Sequence, residues 1–202
     1  MGGVPLLVHA VRTLAGSPSI DLVVVAAPIG FADDVGAMLT DVTGAEVSVV
    51  EGGEHRQESV RLALATLPDD VEVVLVHDAA RAFAPVELIE AVVAAVRTGT
   101  DAVVPGLAVA DTLKQVDADG AVVATVDRSS LRAIQTPQGF RRAVLVELHA
   151  RHVGDPLTDD AGLAEAAGIS VLVVPGSEEA FKVTRPLDLA LAETVLALRE
   201  SS

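Results

Sequence analysis

The chain has 202 residues, half of them hydrophobic but only 2% aromatic, and no cysteine; the length suits one domain with a substantial core, and disulfide and thiolate chemistry are excluded. Its formal charge is −15, from 29 acids against 14 bases, which argues against a nucleic-acid-binding surface. No apolar run reaches the ~20 residues that span a bilayer, and Met1-Gly2-Gly3-Val4-Pro5 lacks the basic start of a signal peptide, so a cytoplasmic protein with an Ala, Val and Leu core is expected.

Pro5 to Ala15 reads as a helix, with Pro at its first position and Leu6, Leu7, Ala10, Val11 and Leu14 on one face. Leu22 to Ala27 is a predicted strand ending at Pro28, Phe31 to Leu39 a weaker helix, and Glu46 to Val50 a strand followed by Gly52-Gly53. Gln57 to Leu67 is predicted helical, with Val60, Leu64 and Leu67 on one side. Glu72 to Val76 is the strongest strand, because Val73-Val74-Leu75-Val76 is an unbroken apolar run with three β-branched members. Val86 to Val96 follows as a helix and Asp101 to Pro105 as a strand. This alternation predicts helices covering a mainly parallel sheet.

The rhythm then changes. Thr112 to Asp127 places valines on both sides of Asp119-Gly120, a hairpin signal. It is either an edge hairpin packed on its own subunit or an arm that reaches a second one. Ala143 to Arg151 and Asp159 to Ala167 read as helices, the second with Thr158 as N-cap. Val171 to Val174 is a strand and Pro186 to Leu198 a closing amphipathic helix. No repeat, low-complexity tract or linker interrupts residues 1–202, so a single domain is expected.

The strand at Val73–Val76 runs into His77-Asp78-Ala79-Ala80-Arg81. Ligands in open α/β sheets bind beyond the carboxyl ends of strands, so Asp78 and Arg81 stand where chemistry is expected. In Gly52-Gly53-Glu54-His55-Arg56-Gln57-Glu58-Ser59, two glycines before a helix can bring amides to an anion; the other reading is a flexible turn with Arg56 in solvent. Asp111-Thr112-Leu113-Lys114 and Asp127-Arg128 lie at the two ends of the hairpin. Either Thr112, Lys114 and Arg128 converge on a phosphate, or the aspartates pair across the strands with Lys or Arg. Gln135-Thr136-Pro137-Gln138-Gly139-Phe140 reads as a connecting turn carrying a hydroxyl. Thr158-Asp159-Asp160 is a helix cap or an anion site. Lys182, one of only two lysines, lies between Phe181 and Val183 just before a helix that opens with Pro186, which suggests a Lys held at a strand end. His9, His55, His149 and His152 read as surface or partly buried, and His77 shows no triad partner. There is no HxxxH, HExxH, GxSxG, GxGxxG or GxxxxGK[ST], so no protein-held metal, no serine elbow and no dinucleotide fingerprint is expected.

In chain order the motifs are GGExRxxSV, VLVHDAAR, DTLK, VDR, TPQGF, TDDA and FKVTRPLDL. This series closely resembles the 2-C-methyl-D-erythritol 4-phosphate cytidylyltransferases of the non-mevalonate isoprenoid pathway, from the first helix nearly to the last residue. The related ribitol-phosphate cytidylyltransferases usually carry Gly-Val where this chain has Ala79-Ala80. The resemblance implies a Rossmann-like α/β nucleotidyltransferase fold with a mainly parallel sheet. It also implies a protruding β-arm at about residues 107–133, exchanged between the subunits of a homodimer.

The activity it implies is transfer of CMP from CTP to 2-C-methyl-D-erythritol 4-phosphate with release of pyrophosphate. Gly53, Glu54, Ser59 and Ala79 would contact the cytidine; Asp78 would lie near the ribose and the acceptor hydroxyls. Lys182 would stabilise the transferring and attacking phosphates, and Thr136 and Thr158 would line the acceptor pocket. Thr112 and Arg128 would serve the neighbouring subunit, with Arg81 nearby, so that Lys182, Arg128 and Asp78 form the catalytic set. Magnesium would bind through CTP phosphate oxygens rather than a protein cage.

The chain departs from the family pattern at its start. The family opens with a strand and a loop carrying Gly, Arg and Lys that grips the triphosphate, and Gly2-Gly3-Val4-Pro5 matches sequence just after that loop. The departure implies two fewer transition-state cations and an unpaired central strand. The alternative function is therefore a catalytically silent or impaired nucleotide-binding dimer of the same fold. Smaller departures are Ala82 for a usual Pro, Glu54 for a frequent Asp, and Ala180-Phe181 for a common Asn-Ile.

Overall fold

In the computed structural model, which describes residues 2–151 and 159–200, the first helix α1 (Leu6–Ala15) starts where the Pro5 carbonyl accepts the N–H groups of Val8 and His9. Its buried face divides: Ala10 packs with Ala82, Phe83 and Ala192, and Val8, Val11 and Ala15 pack on a β–α–β unit. That unit is β1 (Leu22–Ala27), α2 (Ala32–Leu39) and β2 (Glu46–Glu51), with β1 and β2 parallel from Leu22↔Glu46 to Ala27↔Glu51. Val8, Val11, Val23, Val35 and Leu39 make its core.

The chain continues through α3 (Arg56–Leu64), β3 (Val73–Val76), α4 (Val86–Arg97) and β4 (Ala102–Ala108). A hairpin, β5 (Leu113–Val116) and β6 (Val122–Val126), precedes β7 (Arg132–Ile134) and β8 (Gln138–Arg141). The last elements are α5 (Arg142–Arg151), α6 (Asp160–Ala166), β9 (Val171–Pro175) and α7 (Pro186–Glu200). The N-cap of α6 is Asp159, which accepts from the Gly162 N–H; Thr158, the expected cap, lies outside the described residues.

The Rossmann-like α/β architecture is present, but the larger sheet is mixed rather than mainly parallel. It has five strands in the order β3-β8-β4-β7, with β9 paired to β4. Only β9 runs parallel to β4; β8 lies antiparallel between β3 and β4, and β7 is antiparallel to β4. The cause is the segment expected as a connecting turn. Gln138–Arg141 is a central strand, with Phe140 fully buried. Its turn-like glycine has a packing origin, since a Cβ on Gly139 would lie 2.5 Å from Val92 Cγ1 and 3.1 Å from Val96 Cγ2. Helix α4 therefore rests directly on the strand backbone. β4 also runs past Pro105, whose carbonyl accepts the Gln135 N–H at 2.8 Å.

Strands β1 and β3 do not pair with each other. Between them lies a cleft of about 890 Å³, lined from α1, β1, α3 and β3, with Arg56, Ser59, His77, Asp78 and Ala79 among its lining residues. The hairpin is a separate two-stranded sheet whose residues are almost all exposed. Its tip is built as the sequence implies: the Asp117 carboxylate accepts the N–H groups of Asp119 and Ala121, and Gly120 takes φ +83°. Among the described residues no helix is long and apolar enough to cross a membrane.

Candidate active site

The site forms where β3 ends. The Arg81 N–H bonds back to the Asp78 carbonyl at 2.9 Å, so the chain turns at once and leaves the Asp78 carboxylate at the strand's carboxyl end. The turn is fastened from below by Thr136, whose Oγ1 accepts the Asp78 N–H at 3.0 Å and lies 3.0 Å from His77 Nδ1. On its other side, His77 Nε2 is 3.1 Å from the Arg81 carbonyl oxygen. A carbonyl can only accept, so Nε2 carries the proton and Nδ1 accepts from the Thr136 hydroxyl. One neutral tautomer satisfies all three partners. Burial lowers the His77 pKa to about 4, so this tautomer persists at neutral pH.

A second segment is stitched onto this turn. Arg81 donates to the Ala180 carbonyl at 2.8 Å and to the Ile134 carbonyl at 3.4 Å, and the Val183 N–H donates to the Ala80 carbonyl at 2.8 Å. Gln135 Nε2 adds a bond to the Ser177 carbonyl at 2.8 Å. These contacts deliver Lys182, whose Nζ lies 2.9 Å from Asp78 Oδ2. Arg81 Nε approaches the same oxygen at 3.9 Å, and Arg56 Nε approaches Oδ1 at 3.5 Å. Burial alone pushes Asp78 up; the Lys182 hydrogen bond and charge, with Arg56 and Arg81, outweigh it and hold the carboxyl below its ordinary range.

Arg56, although 38% of its side chain is exposed, is not left to solvent alone as one reading of its loop has it. Its Nη1 is 2.7 Å from Asp160 Oδ2, and Asp160 is 1% exposed. Asp160 Oδ1 in turn lies 2.8 Å from Nε2 of the buried His149. Burial raises and these partners lower the Asp160 pKa, with a net shift downward. Three cations, Arg56, Arg81 and Lys182, thus surround Asp78 and Asp160, a locally positive cluster on a chain of net charge −15.

The remaining expected residues fall into two groups. Gly53, Glu54 and Ser59 fold onto one another at the start of α3: the Gly53 N–H donates to Ser59 Oγ at 3.1 Å and the Glu54 N–H to Glu58 Oε2 at 3.1 Å. Arg56 in the same loop ties them to Asp78, and Ala79 follows Asp78 on the turn. Thr112 and Arg128 sit instead at the open end of the hairpin, where Leu113 pairs with Val126, and both are exposed. No hydrogen bond or ion pair among the described residues links them to the Asp78–Lys182 cluster. The cross-strand Asp–Lys pairing is absent there too, since Lys114 bonds Thr125 Oγ1 at 2.6 Å and Asp127 accepts from Ser129. Thr158 lies outside the described residues.

Sequence reasoning missed Arg56 as a site residue, together with Asp160 and His149 behind it. The only local signal was a basic residue at a helix start beside a glycine pair. Among the described residues no three His, Asp or Glu side chains are placed to hold a metal ion. Asp78 already faces three cations, so the set suits an anion-borne metal better than a protein-caged one. Chemically, the cluster can accept phosphate groups in exchange for Asp78.

The model of one protein family, described as IspD: 2-C-methyl-D-erythritol 4-phosphate cytidylyltransferase, matches residues 1–198. A Streptomyces coelicolor protein named 2-C-methyl-D-erythritol 4-phosphate cytidylyltransferase is 54% identical over 98% of this chain and 77% of its own length. One of the same name from Frankia casuarinae is 53% identical over 98% of this chain and 72% of its own. Among solved structures, 2-C-methyl-D-erythritol 4-phosphate cytidylyltransferase from Thermus thermophilus superposes with a TM-score of 0.77 at 36% identity, covering 96% of this chain and 90% of that one. A 4-diphosphocytidyl-2C-methyl-D-erythritol synthase from Anaerococcus prevotii gives 0.88 at 28% identity, covering 98% and 88%.

Proposed function

The chain belongs to the 2-C-methyl-D-erythritol 4-phosphate cytidylyltransferase family, and we propose that its chemistry takes place at the Asp78–Lys182 end of β3. The reaction transfers CMP from CTP to 2-C-methyl-D-erythritol 4-phosphate. A phosphate oxygen of the acceptor forms a bond to the α-phosphorus as the bond to the bridging α–β oxygen breaks, and pyrophosphate leaves. Negative charge builds on oxygens around the α-phosphorus, so catalysis asks for preorganised cations. The observation that carries the reading is Lys182 held at 2.9 Å from Asp78 within a cluster that also contains Arg56 and Arg81.

Lys182 then moves onto the transferring and attacking phosphates, and Asp78 turns to ribose and acceptor hydroxyls. Gly53, Glu54, Ser59 and Ala79 hold the cytidine. Thr136, whose hydroxyl is occupied between Asp78 and His77, shapes the acceptor pocket from beneath; Thr158 is the pocket's other expected hydroxyl. Bound through CTP phosphate oxygens rather than by these side chains, magnesium would supply charge neutralisation there. Thr112 and Arg128 complete the partner's site through exchanged arms in a homodimer. In support, the arm exposes Leu113, Val116, Val122 and Val123, an apolar surface of the kind that marks protein contacts.

The test is pyrophosphate release from CTP, magnesium and 2-C-methyl-D-erythritol 4-phosphate, with ribitol 5-phosphate as control acceptor. Release with the first acceptor only is expected. Subunits carrying Arg128→Ala and subunits carrying Lys182→Ala, each impaired alone, are expected to recover part of the rate when mixed. Absence of transfer, or equal use of ribitol 5-phosphate, contradicts the proposed acceptor. Mixtures no faster than either parent contradict the shared arm.

A further inference from the structure

We propose that Arg56 is a positioning residue for cytidylyl transfer: anchored on the buried Asp160, it keeps Asp78 paired while Lys182 leaves that carboxylate for a phosphate. The proposal rests on the assignment of Lys182 to the phosphates. Its basis is the division of labour within two carboxylates and one guanidinium. Asp78 offers Oδ1 to Arg56 and Oδ2 to Lys182, at 3.5 Å and 2.9 Å. Arg56 uses different nitrogens for its two partners, Nε toward Asp78 and Nη1 toward Asp160 at 2.7 Å. Because the guanidinium is a rigid plane, fixing one nitrogen on Asp160 fixes where the other points.

The anchor itself is held from several directions. Asp160 is 1% exposed and His149, its other partner, is 2% exposed. The start of α6 is tied to β8 through Gln138, which donates to Asp159 at 2.8 Å and accepts from the Ala161 N–H at 3.1 Å. An anion this enclosed needs its charged partner, so Arg56 stays with Asp160. Lys182 is the most exposed of the three cations on Asp78, at 47% of its side chain against 38% for Arg56 and 14% for Arg81, and has no buried carboxylate of its own to hold it. When Lys182 transfers to a phosphate, Asp78 keeps Arg56 and, at 3.9 Å, Arg81. Without the Arg56 contact, a largely buried carboxylate would hold Lys182 more tightly and resist its departure.

Arg56→Lys is the decisive variant, because an ammonium preserves the charge beside Asp160 but cannot span both carboxylates. It is expected to lower kcat on the order of 10-fold or more while leaving the KM for CTP within about threefold, with an unchanged melting curve. Asp160→Asn should move kcat the same way through loss of the anchor. A kcat at the parent level in Arg56→Lys overturns the proposal, as does a loss that merely follows the folded fraction. A second readout needs no turnover. With only Lys114 and Lys182 in the chain, isotope-labelled dimethyl groups give two lysine side-chain NMR signals, and Lys182→Arg identifies which is which. Arg56→Gln and Asp160→Asn are each expected to shift the Lys182 signal and not that of Lys114. If the parent transfers no cytidylyl group, the functional assignment fails, yet this signal still decides the coupling; an unmoved Lys182 signal in both folded variants rejects it.

Discussion

Lys182→Ala is expected to lower the rate of pyrophosphate release on the order of 10²-fold or more, the usual cost of removing one preorganised stabiliser of transition-state charge. The expectation follows from how the residue is held. Its backbone neighbours are bonded to the Asp78–Arg81 turn through Val183 and Ala180, so the ammonium is delivered to the strand end rather than left to diffuse there. Its charge is then useful only when phosphates replace Asp78 as its partner. The loss should therefore appear chiefly in kcat. Stability should change little, because Lys182 is about half exposed and Asp78 retains Arg56 and Arg81. Steady-state kinetics paired with thermal melting separate these effects. A variant turning over at nearly the parental rate rejects the role; if Lys182→Ala unfolds, Lys182→Met, which keeps the length of the side chain and removes its charge, serves in its place.

Folding stability is expected to fall in two stages on acidification, and the first belongs to His77. Its ring is neutral in the folded chain, with a pKa lowered by burial from 6.5 to about 4. Below the unfolded value the unfolded chain binds a proton that the folded chain refuses, so the full contribution is present above about pH 6.5 and is lost progressively toward pH 4. The loss amounts to up to about 3 kcal/mol. Asp78 and Asp160 act in the same sense, since both also have depressed folded values, but at lower pH. Their contribution is present above the ordinary carboxylate range and disappears only as pH falls through the folded values, below the histidine window. Urea unfolding at a series of pH values from about 7 downward checks this. The upper stage should flatten in His77→Asn, which removes the titrating ring. A parent whose stability is level from neutrality to about pH 4.5, or a variant with the same upper slope, contradicts the assignment.

What could be read beforehand was whatever depends on local pattern. The β3 strand is legible because a buried strand demands an unbroken apolar run and a ligand-binding end demands polar residues at once after it. The hairpin tip is legible because Asp119-Gly120 suits a left-handed turn position, which Gly120 adopts. β8 was not legible, because Gln138 and Gly139 are poor strand formers in isolation. They become a strand through β3 on one side and β4 on the other, and the glycine answers to α4, distant in sequence. The end of α3 was overshot for a related reason. Val60, Leu64 and Leu67 keep helical spacing, but the helix stops at Leu64 and the Leu67 N–H closes a short turn on the Leu64 carbonyl ahead of Pro68. Arg56 and His149 escaped notice because their meaning lies in partners. Neither residue's neighbours announce Asp160, and a histidine two positions from a helix end reads as surface until the fold buries it against a carboxylate.

The most direct measurement is a crystal structure of the chain with CTP and magnesium bound. The nucleotide is expected at the carboxyl end of β3, with its phosphates within hydrogen-bonding distance of Lys182 Nζ and its cytosine against the Gly53–Ser59 loop. A nucleotide seated elsewhere, such as the hollow of about 460 Å³ lined by Ala32, Gly36, Val47 and Val49, with Lys182 still closed on Asp78, would contradict this placement of the chemistry.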